Sequence, residues 1–301
     1  MLKGSIPALI TPFTPTGEVD FSALSALMTW HCEMQSDGIV LCGSTGESAT
    51  LSHEEKLEIF SVAVKTVQGR IPVIAGTGTN DTRTTLRLTQ EAQELGVDAC
   101  LLITPYYNRP TPEGCYLHFE EISRLGLPMI LYHNPARTGS HLQPAALAHL
   151  ATLPHMIAIK DATGDIPYLI DLLRISSVPV FTGDDVFVVA AMAQGCVGSI
   201  STIANVIPSE WKELCSTLSN NDFARGRAIY QHYLPLIKAM SLEPNPQCVK
   251  YALSLLQRCA ARMRLPLLEP RQESKQRIEL AMQETGSLDL LHNHNPLPVL
   301  N

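Results

Sequence analysis

Eight short β-rich runs, at residues 5–10, 38–42, 72–75, 99–103, 129–132, 157–160, 178–181 and 197–200, are separated by stretches that include helix-period segments at 52–67 and 82–95. Strand alternating with helix implies parallel strands joined by crossover helices. Most of the runs are nearly continuous in apolar residues, as strands covered on both faces must be. A closed (β/α)8 barrel, which needs roughly 250 residues, is the economical arrangement. Past the eighth unit the helical period continues without strands, at 222–240, 246–262 and 272–284. The expected organisation is therefore a TIM barrel over residues 1–221 and a C-terminal helical region over 222–301, with a loose polar tail near 292–298.

Composition bears on the environment and the partners. With 45% hydrophobic and 17% charged residues the chain can bury a sizeable core. Its 22 Lys and Arg stand against 29 Asp and Glu, a net charge of −7 with no basic run, which disfavours nucleic acid and anionic membranes as partners. The eight cysteines form no C-x-x-C pair and lie mostly in apolar segments, the pattern of reduced thiols in a cytoplasmic protein. Residues 1–17 are interrupted by Pro7 and Pro12 and read as a first strand rather than a targeting segment.

Barrels of this type carry their chemistry in the loops at the C-terminal ends of the strands. Here those loops are 43–48 (GSTGES), 104–110 (TPYYNRP), 133–139 (HNPARTG), 161–164 (DATG) and 183–185 (GDD). Lys160 closes an apolar run, so its amine would enter a site poor in bulk water, where desolvation favours the neutral form that a Schiff-base nucleophile requires. From position alone it could equally leave the barrel and reach solvent. Tyr132 and Tyr107 can pass protons without carrying charge, and Thr45 can donate and accept at one oxygen; each tyrosine could also be a packing residue at the barrel rim. Arg137 offers a fork for a carboxylate, or else a surface ion pair. The Gly-Ser-Thr-Gly turn could cradle a small anion. Neither a nucleotide-binding loop nor a convincing metal-ligand spacing is present, so no cofactor and no metal are expected, and Asp184-Asp185 reads as a helix cap.

The elements GSTGES (43–48), TPYYNRPTPEG (104–114), YHNPARTG (132–139), IAIKDATG (157–164), TGDD (182–185) and EPNPQCVKYAL (243–253) together resemble the dihydrodipicolinate synthase family, in order and from residue 4 to about 285. The resemblance implies a class I condensation that yields 4-hydroxy-tetrahydrodipicolinate in lysine and diaminopimelate biosynthesis. Lys160 would form an imine with pyruvate, and the derived enamine would add to aspartate 4-semialdehyde. It further implies that Thr45, Tyr132 and Tyr107 form a proton relay, with Tyr107 entering a neighbouring subunit's site in a dimer of dimers. Arg137 would hold the semialdehyde carboxylate, Ser44 with Thr45 the pyruvyl carboxylate, and the backbone at Gly183 and Ile200 would line the pocket.

Two departures stand out. His133-Asn134 replaces the usual Asn-Val pair after the tyrosine; because the tyrosine and Arg137 keep their spacing, the change is expected to fall in the layer behind the reacting groups. In the cleft where feedback-inhibited members bind lysine, Ser48, Ala49, His53, Asn80 and Tyr106 match, but Lys56 replaces a histidine and Thr84 a glutamate, so lysine binding is expected to be degraded. Two other readings remain at this point: a pyruvate-dependent lyase for sialic or 2-oxo-sugar acids, against which Arg137 argues, and a non-catalytic paralogue, against which the intact set of Lys160, Tyr132, Tyr107 and Thr45 argues.

Overall fold

The computed structural model describes residues 2–288, so the tail near 292–298 lies outside the described residues. Eight strands form one parallel sheet: β1 (Gly4–Pro7), β2 (Ile39–Leu41), β3 (Val73–Gly76), β4 (Ala99–Ile103), β5 (Met129–His133), β6 (Met156–Asp161), β7 (Val180–Thr182) and β8 (Gly198–Ser201). Neighbours run from β2 through β8 and back to β1, and a single parallel bridge between Ala8 and Val40 closes the ring. The expected (β/α)8 barrel with a C-terminal helical region is what the chain forms.

The strands alternate between the barrel interior and the helical layer. Ile6, Val40, Ile74, Leu101, Ile130, Ala158, Phe181 and Ile200 fill the barrel interior, while Ile39, Val73, Cys100, Leu131, Ile159 and Val180 face the helical layer. The two-residue period of a strand makes this choice for each side chain in turn. With Ala158 inside and Ile159 outside, Lys160 must point inward, and the register sets it between Tyr132 on β5 and Phe181 on β7.

Helices begin where the sequence supplies caps. Ser52 and Glu55 form a reciprocal capping box at His53–Val67, and Asp81, Thr111, Asp165 and Asp222 cap Thr82–Glu94, Pro112–Ser123, Ile166–Ile175 and Phe223–Ala239. Two elements are shorter than their hydrophobic pattern. The first strand stops at Pro7, after which Asn205 Oδ1, rather than a neighbouring strand, accepts the Ile10 N–H at 3.1 Å. The helix expected over 246–262 ends at Leu255, because Gln257 adopts a left-handed φ of 52° and Arg258 N–H returns to the Leu253 carbonyl.

The segment after that stop has another use. Arg264 reaches the Gly17 and Thr50 carbonyls and pairs with both oxygens of Glu55. Beside it the fully buried Lys250 Nζ lies 2.5 Å from Glu47 Oε1 and donates to the Arg262 carbonyl at 2.7 Å, while Glu47 Oε2 accepts the Arg264 N–H. The helix Gln247–Leu255 and the loop after β2 are thereby tied together, which brings residues 243–246 over the mouth of the barrel. All eight cysteines are free, and among the described residues no helix is long and apolar enough to cross a membrane.

Candidate active site

A cavity of about 160 Å³ opens at the C-terminal ends of the strands. Lys160, Tyr132, Thr45, Ser44, Arg137 and Gly183 border it, together with Asn134, Thr202 and Asn245. Six of the eight residues expected to be catalytic or to bind substrate thus meet at one place. The other two do not. Ile200 is fully buried in the apolar plug beneath, and its neighbour Thr202 faces the cavity instead. Tyr107 is 89% exposed and lies outside the cavity wall, its backbone held at a left-handed φ of 73°.

Lys160 is only 6% exposed, and its Nζ stands 4.4 Å from the centre of the Tyr132 ring. Burial lowers its pKa below the ordinary lysine value; the charges of Tyr132 and Asp185 oppose that shift and Arg137 adds to it. No carboxylate pairs with it among the described residues, in contrast to buried Lys250, so its amine is the one available for attack on a carbonyl carbon. The route to solvent that position alone allowed is closed by the alternation along β6.

The space for this lysine depends on a missing side chain. A Cβ on Gly183 would lie 2.6 Å from Lys160 Cε and 2.9 Å from Ala162 Cβ, closer than carbon atoms approach, while Gly183 N–H is bonded to the Asp161 carbonyl and cannot retreat. Overpacking of this kind costs about 1–3 kcal/mol, here concentrated on the lysine stem. We expect Gly183→Ala to fold but to lower kcat/KM for a carbonyl substrate at least roughly tenfold by displacing the amine. Steady-state kinetics beside a thermal melt would check this, and parental kinetics would show that Lys160 has room to spare.

The two hydroxyls are each held by an asparagine. Asn245 Nδ2 donates to Thr45 Oγ1 at 2.8 Å, and Asn134 Nδ2 donates to the Tyr132 phenol oxygen at 2.9 Å. The Asn134 side chain also caps residues Pro135–Thr138, its Oδ1 accepting the Arg137 N–H at 3.1 Å. Sequence reasoning set the His133-Asn134 pair behind the reacting groups; in the structure Tyr132 points into the barrel, His133 points out, and Asn134 turns back over the rim to hold the Tyr132 oxygen and border the cavity. His133 is fully buried against His141 and Tyr168, and burial lowers its pKa to about 4, so it is neutral at pH 7. Asn245 was also missed as a site residue. Its Glu-Pro-Asn-Pro setting marked the segment as distinctive, but nothing local shows that it folds back onto the barrel mouth.

The guanidinium of Arg137 makes no hydrogen bond or ion pair among the described residues and lies where the cavity joins a second one of about 350 Å³. Ser48, Ala49, Lys56 and Tyr106 border that second space. His53 instead bonds Glu91, the Asn80 carbonyl accepts from Asn108, and Thr84 Oγ1 is taken up by Asp81 at a helix start. Of the Asp184-Asp185 pair, Asp184 caps the turn Asp185–Phe187, whereas Asp185 accepts the Thr202 and Ile203 N–H groups and ties the β7 loop to the β8 loop.

A buried, unpaired lysine at the end of β6, with two amide-held hydroxyls and a free arginine around one cavity, defines a barrel protein equipped for carbonyl chemistry through an amine. The chain matches the dihydrodipicolinate synthetase family over residues 1–285 and belongs to it. It is 43% identical over 291 residues to 4-hydroxy-tetrahydrodipicolinate synthase of Stutzerimonas stutzeri, covering 96% of this chain and 100% of the relative. It is 41% identical over 289 residues to the same enzyme of Thermodesulfovibrio yellowstonii, covering 95% and 99%. Among solved structures, dihydrodipicolinate synthase from Acinetobacter baumannii, complexed with pyruvate, superposes with a TM-score of 0.93 at 37% identity, over 95% of this chain and 99% of that one. The Aquifex aeolicus enzyme gives 0.92 at 38% identity, over 94% and 98%.

Proposed function

We propose that this chain condenses pyruvate with L-aspartate 4-semialdehyde to give 4-hydroxy-tetrahydrodipicolinate, the reaction named for its relatives. The observation that carries this reading is the shared cavity of Lys160, desolvated and without an acid partner, and Arg137, a cation with its fork unoccupied. The Lys160 amine adds to the ketone of pyruvate, water leaves, and a methyl proton is lost to give an enamine. The enamine carbon attacks the aldehyde carbon, and the substrate's own amine then displaces Lys160 as the ring closes. Thr45 and Tyr132 carry the protons; Ser44 and Thr45 hold the pyruvyl carboxylate, and Arg137 the carboxylate of the aldehyde substrate.

Tyr107 belongs in this account as a residue donated to a second subunit. A tyrosine 89% exposed on a left-handed backbone is costly in an isolated chain, which supports a homo-oligomer, a dimer of dimers, whose interface covers it. The free cysteines and the absence of a membrane-crossing helix among the described residues agree with a cytoplasmic setting.

The test is turnover of the two substrates in an assay coupled to the next, reductive step, alongside borohydride reduction with pyruvate alone. Pyruvate trapping without turnover of the semialdehyde would point to another pyruvate-dependent lyase. Arg137→Ala should leave trapping intact while lowering kcat/KM for the aldehyde about ten- to a hundredfold, the worth of a lost charge-assisted contact of about 1.5–3 kcal/mol. Equal loss of trapping would mean that Arg137 holds the site together instead.

A further inference from the structure

The hydroxyls of Tyr132 and Thr45 share an arrangement that the condensation chemistry does not by itself require. Each oxygen accepts one asparagine N–H, and neither donates to any group among the described residues. Both border the cavity that holds Lys160. A hydroxyl has one proton to give and two lone pairs. With an amide N–H on one lone pair, the proton has no acceptor among the described residues and is left for an oxygen in the cavity.

Asn134 does this for Tyr132 and has a second attachment. Its Oδ1 accepts the Arg137 N–H while its Nδ2 donates to the Tyr132 oxygen, so the amide plane is held at both ends. A carboxamide is the group that fits: it donates on one side and accepts on the other without carrying charge.

We propose that Asn134 is a positioning residue that aims the Tyr132 O–H into the cavity and couples this aim to the turn presenting Arg137. It acts through Tyr132 rather than on the substrate. The inference rests on the condensation reading for its effect on turnover but not for its effect on pyruvate trapping, and the two can be tested apart.

Asn134→Asp keeps the size and the oxygen that caps Arg137 but turns the donor into an acceptor, which draws the Tyr132 O–H out of the cavity. The expected result is a fall in kcat of about 10- to 100-fold at pH 8, KM for pyruvate within about threefold of the parent, and a partial recovery toward pH 5 as the introduced carboxyl gains a proton and can donate again. Asn134→Ser, which keeps a capping oxygen but does not reach the phenol, should lose kcat without that pH-dependent recovery. Borohydride trapping with pyruvate alone, which needs a proton delivered to the departing water, should be slower in Asn134→Asp than in the parent at pH 8.

An Asn134→Asp enzyme with parental kcat and a parental rate of pyruvate trapping would overturn the proposal. So would a loss of kcat that is flat with pH and accompanied by a lowered melting temperature, since that is what a merely structural cap would give. Failure of the parent to turn over the semialdehyde would count against the condensation reading alone, and the rate of pyruvate trapping would still decide the role of Asn134.

Discussion

Replacing Lys160 with alanine is expected to abolish turnover, by at least roughly a thousandfold, and to abolish trapping of pyruvate by borohydride. In the parent, mass spectrometry of the reduced protein should find one pyruvyl adduct, on Lys160. Two other lysines make this a discriminating result. Lys56 borders the adjoining cavity and is also partly desolvated, while Lys250 is fully buried. Lys250 is held by Glu47 at 2.5 Å and is committed to that pair, and Lys56 does not border the cavity that holds Lys160 and Thr45. An adduct on either would sink the mechanism. Lys160→Arg should be as inactive as Lys160→Ala, since a guanidinium remains protonated and cannot attack a ketone. The sign of the pKa shift matters here. Burial disfavours the ammonium, so the neutral fraction at pH 8 exceeds that of an exposed lysine, and trapping should proceed faster than with a free alkylamine of ordinary pKa.

The second large effect is on stability. Removing one partner of the Glu47–Lys250 pair, as in Lys250→Met, should cost about 3–5 kcal/mol, because the Glu47 carboxylate would remain buried with only the Arg264 N–H to compensate it. For a chain of this size that is a fall in melting temperature of roughly 5–10 °C. Activity should fall further than the melt alone explains. Glu47 N–H is bonded to the Ser44 carbonyl, and Lys250 lies on the helix that follows Asn245, so loosening the pair moves both the loop carrying Thr45 and the amide that holds it. The double variant Glu47→Leu with Lys250→Met, which removes both charges, should regain most of the stability, since an apolar pair of similar volume avoids the desolvation cost altogether. A double variant no more stable than Lys250→Met would mean that the pair holds the loop by geometry rather than by charge balance.

These two lysines show how far residue order could carry the argument. Lys160 was legible because it follows directly on an apolar run and because its loop stands among others rich in hydroxyls and phenols. Lys250 sits in a helical pattern like any other, and nothing local marks it as buried. The acid that meets it is 203 residues away along the chain. The same distance in sequence hid Asn245, which reaches Thr45 across 200 residues. Asn134 was hidden for the opposite reason: it is only two residues from Tyr132, and strand alternation would send it to the same face only if the strand continued. β5 ends at His133 instead, and Asn134 starts a turn.

The strand count, the parallel order, the caps at Ser52, Asp81, Thr111, Asp165 and Asp222, and the residue types gathered at the strand ends were all set by local composition and period. Such signals are short-range: a run of apolar residues or a capping oxygen acts on its own turn of chain. The facing of each strand residue was not set that way. Strands apolar on both sides carry no alternation to read, so which of Ile159 and Lys160 enters the barrel was decided only when the sheet closed and its register was fixed. Closure likewise decided that Gly183 leaves room for the lysine stem, that Ile200 lies beneath the cavity and Thr202 beside it, and that Asn134 and Asn245 hold the two hydroxyls. Each of these depends on groups brought together from distant strands, and no single segment contains the energy that selects it.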